Sequence, residues 1–431
     1  MTNPPKASPR SHITARIVAG PGPIARFKAR RYGLDTLLRR PPALELYYEA
    51  GDPHSHLAAQ LLPRLLPRLK VPVQVRVVGT PEPVLYPEAD KQRAFALEDA
   101  RRIAPAWGLQ FAAEPVLPAA AASLLAARRL LACTDTATFL EREAELAPAL
   151  FAGRAIESGA QALDATEARA ALAANVQRRA ALGHYLPGMW QFDGDWFWGI
   201  DRLDALAGAL RRRDALDGDA PLLDFDPAAA RLPTVPIDTP VVEFFYSFRS
   251  PYSYLAAEQV AQADWPAPLS IRPVLPMAMR GMKIPRRKGL YIARDVKREA
   301  DRLGLPFGRI ADPLGAGAER CLSLFPLAPD TAAQLAFLLS ASRGVWSEGI
   351  DVATDAGLRF VWERAGLDWP PAAAKLARGM DLDYAEQNRQ ALFTAGAWGV
   401  PSFRYGDFMT WGRDRIWMLE EVFRRRLNGE S

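Results

Sequence analysis

Apolar positions along the chain fall into two similar series. In the first, residues 44–48, apolar or aromatic apart from Glu45, form a short run that reads as a strand. Gly51-Asp52-Pro53 then turns the chain into a helix carried by Leu57, Leu61 and Leu65. Residues 73–78, just after Pro72, predict a second strand. Alanine- and leucine-rich i,i+4 spacing predicts a long helical stretch over about 92–179. Leu186-Pro187 introduces two short aromatic strands, 189–192 and 196–198, and a helix over 201–213 closes the series. In the second series, residues 241–246 repeat it as a buried strand. Ser250-Pro251 then opens an apolar-periodic helix through Tyr254, Leu255, Ala257 and Val260. Serine at the N-cap followed by proline at the first helical position is a strong helix start. It sets a hydroxyl at a strand-to-helix junction, facing the positive end of a helix dipole, which suits an anion or a thiolate. Taken alone, the same serine reads as a cap and nothing more.

The two series match residue by residue. Glu45 aligns with Glu243, Tyr48 with Tyr246, Pro53 with Pro251, Ser55 with Ser253, and Leu57-Ala58-Ala59 with Leu255-Ala256-Ala257. Phe95, Asp99 and Gly108 follow as Tyr291, Asp295 and Gly304. Trp198-Gly199 and Asp201-Arg202 return as Trp411-Gly412 and Asp414-Arg415. Ordered aromatic and charged matches of this kind imply a duplication whose copies differ in the length of their helical middle. The expected domains are a basic N-terminal arm (1–40), a first domain (41–213), a Pro- and Asp-rich linker (214–239) and a second domain (240–431).

Composition narrows the function classes. The chain has 431 residues and a formal charge of +5, with a pI of about 9.2. Part of that excess sits in the arm, at Arg10, Arg16, Arg26, Arg30, Arg31, Arg39 and Arg40 among others. With no zinc-finger spacing, RNA-binding signature or long basic helix, a nucleic-acid partner is not expected. The two cysteines, Cys133 and Cys321, form no Cys-x-x-Cys pair, which argues against a disulfide framework and for a reducing compartment. No long apolar segment predicts a membrane span or signal peptide, so the expectation is a cytoplasmic protein with a small-molecule substrate.

Each series runs strand, helix, strand, helical insert, strand, strand, helix. With Val400-Pro401 opening the third strand of the second copy, this is the order of a thioredoxin-like fold with a helical insertion, in which that proline is cis. The expected fold class is therefore α/β, two tandem thioredoxin-like domains, each carrying a helical insertion. Ser-Pro-Tyr-Ser-Tyr at 250–254, Pro-Arg-Arg-Lys-Gly-Leu-Tyr at 285–291, Trp-Ser-Glu-Gly-Ile-Asp at 346–351, Gly-Val-Pro-Ser at 399–402 and Trp-Gly-Arg-Asp-Arg at 411–415 complete the picture. Together they resemble the kappa-class glutathione transferases and 2-hydroxychromene-2-carboxylate isomerases of the DsbA-like thioredoxin superfamily. The resemblance covers about residues 241–427 in order; the first half resembles the family only through the repeat.

The resemblance implies glutathione as cofactor and Ser250 as the catalytic residue, its hydroxyl hydrogen-bonding the glutathione sulfur and favouring the thiolate. It implies that Val400, before Pro401, pairs its backbone with the cysteinyl part of glutathione. Asp414 matches the acidic residue that holds the γ-glutamyl ammonium, Arg413 falls where relatives have serine or glutamine, and Lys288 matches a basic residue near the glycine carboxylate. The loop between Pro276 and Arg286 is shorter than in relatives and lacks their asparagine. Arg280, Lys283, Arg286 and Arg287 crowd it instead, a charge pattern suited to an acidic or aromatic-carboxylate substrate or to solvent. The implied activity is a glutathione-dependent isomerase or transferase, with the two copies forming an internal pseudo-dimer or the chain a homodimer. The alternative is a binding or scaffold module without catalytic cysteines.

In the first copy Asp52 replaces Ser250 and Gln92 stands at the position of Lys288, so that copy is expected not to bind glutathione. His54, His56 and His184 all fall near its pseudo-site with Asp52. A zinc site from these side chains is an alternative to a solvated polar cleft, and no metal is assigned.

Overall fold

A computed structural model describes residues 42–157, 161–222 and 240–428, together with Pro5. Apart from Pro5, the expected basic arm lies outside the described residues, as do residues 223–239 of the expected linker. The protein is mixed α/β with two sheets. The chain divides into two compact units. Among the described residues, the first comprises 42–222 with 285–291, and the second 240–284 with 292–428.

In the first unit, strand β1 (Leu44–Tyr48) is buried along its whole length; four of its five side chains are apolar or aromatic, and the exception, Glu45, pairs with Arg76 and Arg178. Helix α1 (Pro53–Ala59) follows, then β2 (Val73–Val77), which pairs parallel with β1. The single long helix expected over 92–179 is instead four helices: α2 (Ala89–Ile103), α3 (Ala120–Leu131), α4 (Thr136–Phe151) and α5 (Ala165–Ala181). The breaks have local causes. Gly108 ends the first segment at φ +60, and Pro115 and Pro118 lie in the next gap. Asp135 and Asp164 cap new helices by accepting from backbone N–H groups of Thr138 and of Thr166 and Glu167. Antiparallel strands β3 (Met189–Phe192) and β4 (Asp195–Trp198) complete the sheet in the order β2-β1-β3-β4, and α6 (Leu203–Arg211) closes. Residues 214–222, expected as linker, pack on this unit. Lys70 pairs with Asp214 and Asp217, Arg68 binds the carbonyls of Asp217, Ala220 and Pro221, and Leu222 is buried.

The second unit carries the same strand order, β6-β5-β7-β8. Its strands are β5 (Val242–Tyr246), β6 (Leu269–Pro273), β7 (Ser402–Tyr405) and β8 (Phe408–Trp411). Helix α7 (Pro251–Gln262) follows β5, and α8 (Arg286–Arg302) follows β6. The insert contains α9 (Ala316–Leu324), α10 (Thr331–Arg343), α11 (Asp355–Arg364), α12 (Trp369–Ala377) and α13 (Asp383–Thr394); α14 (Trp417–Leu427) is terminal. Phe244 stacks on Phe403 within the sheet at 4.8 Å and Phe337 lies edge-on to Trp362 within the insert at 4.7 Å, while Phe248, just past β5, meets Phe337 at 5.8 Å and ties the two together. Val400–Pro401 is cis, the one such bond among the described residues; Leu186–Pro187, its counterpart in the first unit, is trans. No helix among the described residues is long and apolar enough to cross a membrane.

Candidate functional site

The site begins where β5 ends. The N–H of Ser250 donates to the Ser247 carbonyl at 3.0 Å, closing the turn that brings the chain off the sheet. Ser250 keeps an extended backbone (φ −101°, ψ 113°) while its carbonyl already accepts the first helical hydrogen bond, from Tyr254 N at 3.1 Å. Its hydroxyl accepts from Ser253 N at 3.1 Å and donates to the Val400 carbonyl at 3.4 Å. Ser250 therefore caps a 12-residue helix and faces the residue before the cis proline. The contact to Val400 is long for an O–H···O bond, so the hydroxyl proton is loosely held. Ser253 Oγ beneath it is fully buried without a hydrogen-bond partner.

The 399–402 segment is fixed from three sides. Gly412 N donates to the Pro401 carbonyl at 2.8 Å, and Ser402 Oγ donates to the Gly399 carbonyl at 2.7 Å. A Cβ on residue 399 would meet Trp411 Nε1 at 2.9 Å, so only glycine lets the indole lie against the backbone here.

Arg413 and Asp414 form a pair, Arg413 Nη2 donating to Asp414 Oδ1 at 2.8 Å. Arg413 is 5% exposed, and the same Nη2 reaches Glu299 Oε2 while Nη1 contacts Gln259 at 3.4 Å. Asp414 is one-sixth exposed at its side chain, so the carboxylate edge stays near solvent. Nearby on α8, Asp295 is buried and accepts from the Tyr252 hydroxyl at 2.7 Å and from Arg298 at 3.2 Å. None of Tyr252, Gln259, Asp295 and Glu299 was named in the sequence as a site residue, although Asp295 appeared there as the repeat partner of Asp99. Their spacing carries the signal: Tyr252 and Gln259 lie seven apart on α7, Asp295 and Glu299 four apart on α8, so each pair shares a helix face.

The structure brings Ser250, Val400 and Pro401 together and pairs Arg413 with Asp414. Lys288 lies in 285–291, the segment that belongs to the first unit. There its ammonium donates to the Leu85 carbonyl at 3.2 Å and sits 5.6 Å from the Tyr185 ring. Tyr291 explains the placement, because it packs on the apolar cluster of Tyr47, Val78, Met189 and Trp196 and meets the His184 ring edge-on at 4.4 Å. The helical spacing of α8 says nothing about which unit its first turns join.

In the first unit Asp52 caps α1, accepting from Ser55 N at 2.8 Å and Ser55 Oγ at 2.6 Å. The histidines take separate partners. His56 Nδ1 binds Glu143 at 2.6 Å, His54 lies 3.6 Å from Asp99, and His184 Nδ1 accepts from Leu186 N at 3.1 Å. Among the described residues no three His, Cys, Asp or Glu side chains group as a metal site, so the zinc alternative has no ligand set. Both cysteines are free, and burial pushes the Cys321 thiol up to about 12.

Residues 241–424 match the family model described as a DsbA-like thioredoxin domain. The chain is 27% identical over 195 residues to a 2-hydroxychromene-2-carboxylate isomerase of Pseudomonas putida, covering 43% of this chain and 95% of that protein. A second such isomerase, from Pseudomonas sp. (strain C18), is 25% identical over 202 residues, 44% of this chain and 93% of that protein. A solved structure of a 2-hydroxychromene-2-carboxylate isomerase aligns with TM-score 0.37 and 25% identity, covering 44% of this chain and 97% of its own. The C-terminal half thus carries a DsbA-like thioredoxin domain, and over about 44% of its length the chain is homologous to 2-hydroxychromene-2-carboxylate isomerases.

Proposed function

We propose that the protein is a glutathione-dependent isomerase or transferase, built from two tandem thioredoxin-like domains, with its thiol site at Ser250. The observation that carries this reading is the Ser250 hydroxyl, which caps α7 and lies 3.4 Å from the Val400 carbonyl. When bound there, glutathione would supply a thiolate for addition to an electrophilic, conjugated double bond; in the isomerase form, the carbon–carbon bond that addition makes single would rotate before the thiol is eliminated. The chain's own residues do the rest. The loosely held Ser250 proton turns to the sulfur, and together with the helix dipole it favours the ionised thiol. The Val400 backbone pairs with the cysteinyl portion, as an added strand would. Asp414, held by Arg413, takes the γ-glutamyl ammonium. Catalysis by a protein disulfide is not part of this reading, because serine occupies the nucleophile position and Cys321 is a buried, high-pKa thiol.

The reading includes a small-molecule substrate and a cytoplasmic setting. Calorimetric titration with glutathione, followed by turnover of 2-hydroxychromene-2-carboxylate and of a conjugation substrate, tests the proposal. Saturable binding with turnover of either substrate is expected. Absence of glutathione binding by calorimetry and by thermal shift would sink it and leave a non-catalytic binding module.

A further inference from the structure

Arg249, the residue before Ser250, is held in place by a part of the second unit that the thiol site does not use. Its Nε and Nη2 donate to Asp312 Oδ1 and Oδ2 at 2.8 and 2.9 Å, a fork that fixes the plane of the guanidinium. Asp312 is itself fixed. Its Oδ1 also accepts from Leu314 N at 3.2 Å, and it ends a strap, residues 305–312, that is tied down along its length. Gly308 N and Ala311 N donate to the Trp346 and Val345 carbonyls at 2.9 and 2.8 Å, where the chain makes a π-turn over Gly344–Glu348. The Tyr254 hydroxyl, one turn along α7 from Ser250, donates to the Pro306 carbonyl at 2.9 Å, and Phe307 stacks on Trp346. The Trp-Ser-Glu-Gly-Ile-Asp motif at 346–351 thus anchors the strap. One edge of the guanidinium remains open: Nη1 has no partner among the described residues, and the side chain is 17% exposed. The first unit has nothing comparable. There Gly51 precedes Asp52 at φ +90°, and a Cβ on it would meet Ser123 Oγ at 2.6 Å, so neither backbone nor space suits an arginine.

We propose that Arg249 binds a carboxylate of the molecule held at Ser250, with Asp312 as its positioning residue. The inference rests on the glutathione reading and names a contact that the reading leaves open. A peptide bond joins Arg249 to Ser250, so their Cα atoms stand about 3.8 Å apart, and a ligand on the Ser250 hydroxyl lies within reach of the long arginine side chain. An ion pair whose acid is 49% exposed adds little to stability. What the fork supplies is orientation, because the arginine has lost its rotamer freedom before any ligand arrives. The charges of the pair cancel, so attraction rests on the directed N–H groups of the open edge, which match a planar carboxylate. Two carboxylates qualify, the glycyl carboxylate of glutathione and one carried by the electrophile, and both present the same pair of oxygens.

Calorimetry of the full chain with four ligands tests it: glutathione, its glycyl monoethyl ester, S-benzylglutathione and S-(4-carboxybenzyl)glutathione. If the glycyl carboxylate is the partner, wild type binds glutathione at least tenfold tighter than the ester. If the electrophile supplies it, wild type binds the carboxybenzyl conjugate at least tenfold tighter than the benzyl one. Arg249→Met is expected to erase that preference, and Arg249→Lys, which keeps the charge without the fork, to retain only part of it. The exchanged pair Arg249→Asp/Asp312→Arg rebuilds the ion pair, so it is expected to recover the wild-type urea midpoint but not the preference. Loss of either preference in Arg249→Met supports the proposal and identifies the source of the carboxylate. A wild type with neither preference, a preference that survives Arg249→Met, equal weakening of all four ligands, or recovery of the preference in the exchanged pair overturns the proposal and leaves the glutathione reading standing. A wild type that binds none of the four overturns both.

Discussion

The Ser250 hydroxyl and the Val400 carbonyl, 150 positions apart in the chain, meet at 3.4 Å. The hydroxyl also accepts from Ser253 N, so removing it deletes a cap and a thiol-directed donor at once. Ser250→Ala is expected to abolish most thiol-dependent turnover. Cap loss alone costs about 0.5–2 kcal/mol, which a unit with so large a core survives. Turnover and a urea melt on the same preparation separate the two effects. Wild-type turnover in the variant would reduce Ser250 to a cap.

One glutathione per chain is the expected stoichiometry. Asp52 occupies the first unit's cap position and already engages both Ser55 N and Ser55 Oγ. A carboxylate there raises the pKa of a neighbouring thiol instead of lowering it, so the first unit lacks the means to hold a thiolate. Calorimetry of wild-type protein should give one site, lost in Ser250→Ala and kept in Asp52→Asn. Two equivalent sites would contradict this.

Strand positions and helix starts were legible in the sequence because they depend on local chemistry. The all-buried β1 showed as a run of large apolar and aromatic side chains broken only by Glu45, and Ser250-Pro251 and Asp52-Pro53 marked their caps. Helix breaks at Gly108 and before Asp135 and Asp164 were present as residues, yet alanine-rich periodicity masked them. The surroundings of Lys288 were not legible for a different reason. Its position follows from Tyr291 packing on residues far away in sequence, and such long-range choices leave no local signature.

Arg413 holds a buried acid. It is expected to contribute stability mainly by neutralising Glu299, whose other guanidinium partner, Arg302, is the more exposed of the two. Removing one member of a buried pair strands the other charge, typically at about 3–5 kcal/mol. Arg413→Met should therefore lower stability by about 3 kcal/mol. The double variant Arg413→Met/Glu299→Gln should recover part of that loss, as coupled neighbours do. Chemical denaturation of the four proteins of the cycle measures it, and simple additivity would refute a shared buried charge.

Glu49 sets a pH dependence with a definite sign. Burial raises its carboxyl from 4.5 to about 7, with Asp52 adding like charge. A group whose folded pKa is raised stabilises the fold below its unfolded value and loses that contribution as pH rises through the folded one. The window is therefore about pH 4.5 to 7. At about 1.4 kcal/mol per unit, and with allowance for partial exposure, the loss by pH 8 is on the order of 2 kcal/mol. Glu49→Gln keeps an oxygen to accept from Thr80 Oγ1 but cannot ionise. The difference in stability between variant and wild type should be near zero at pH 5 and grow to about 2 kcal/mol in favour of the variant at pH 8. His184 acts in the opposite sense. Burial holds it neutral well below its usual range, so wild type and variant alike lose stability as pH falls below about 6.5. Because that loss is common to both proteins, it cancels in the difference. Urea midpoints for the pair across pH 5 to 8 therefore isolate Glu49, and a difference that stays flat would show that its carboxyl ionises in the folded protein as it does in the unfolded chain.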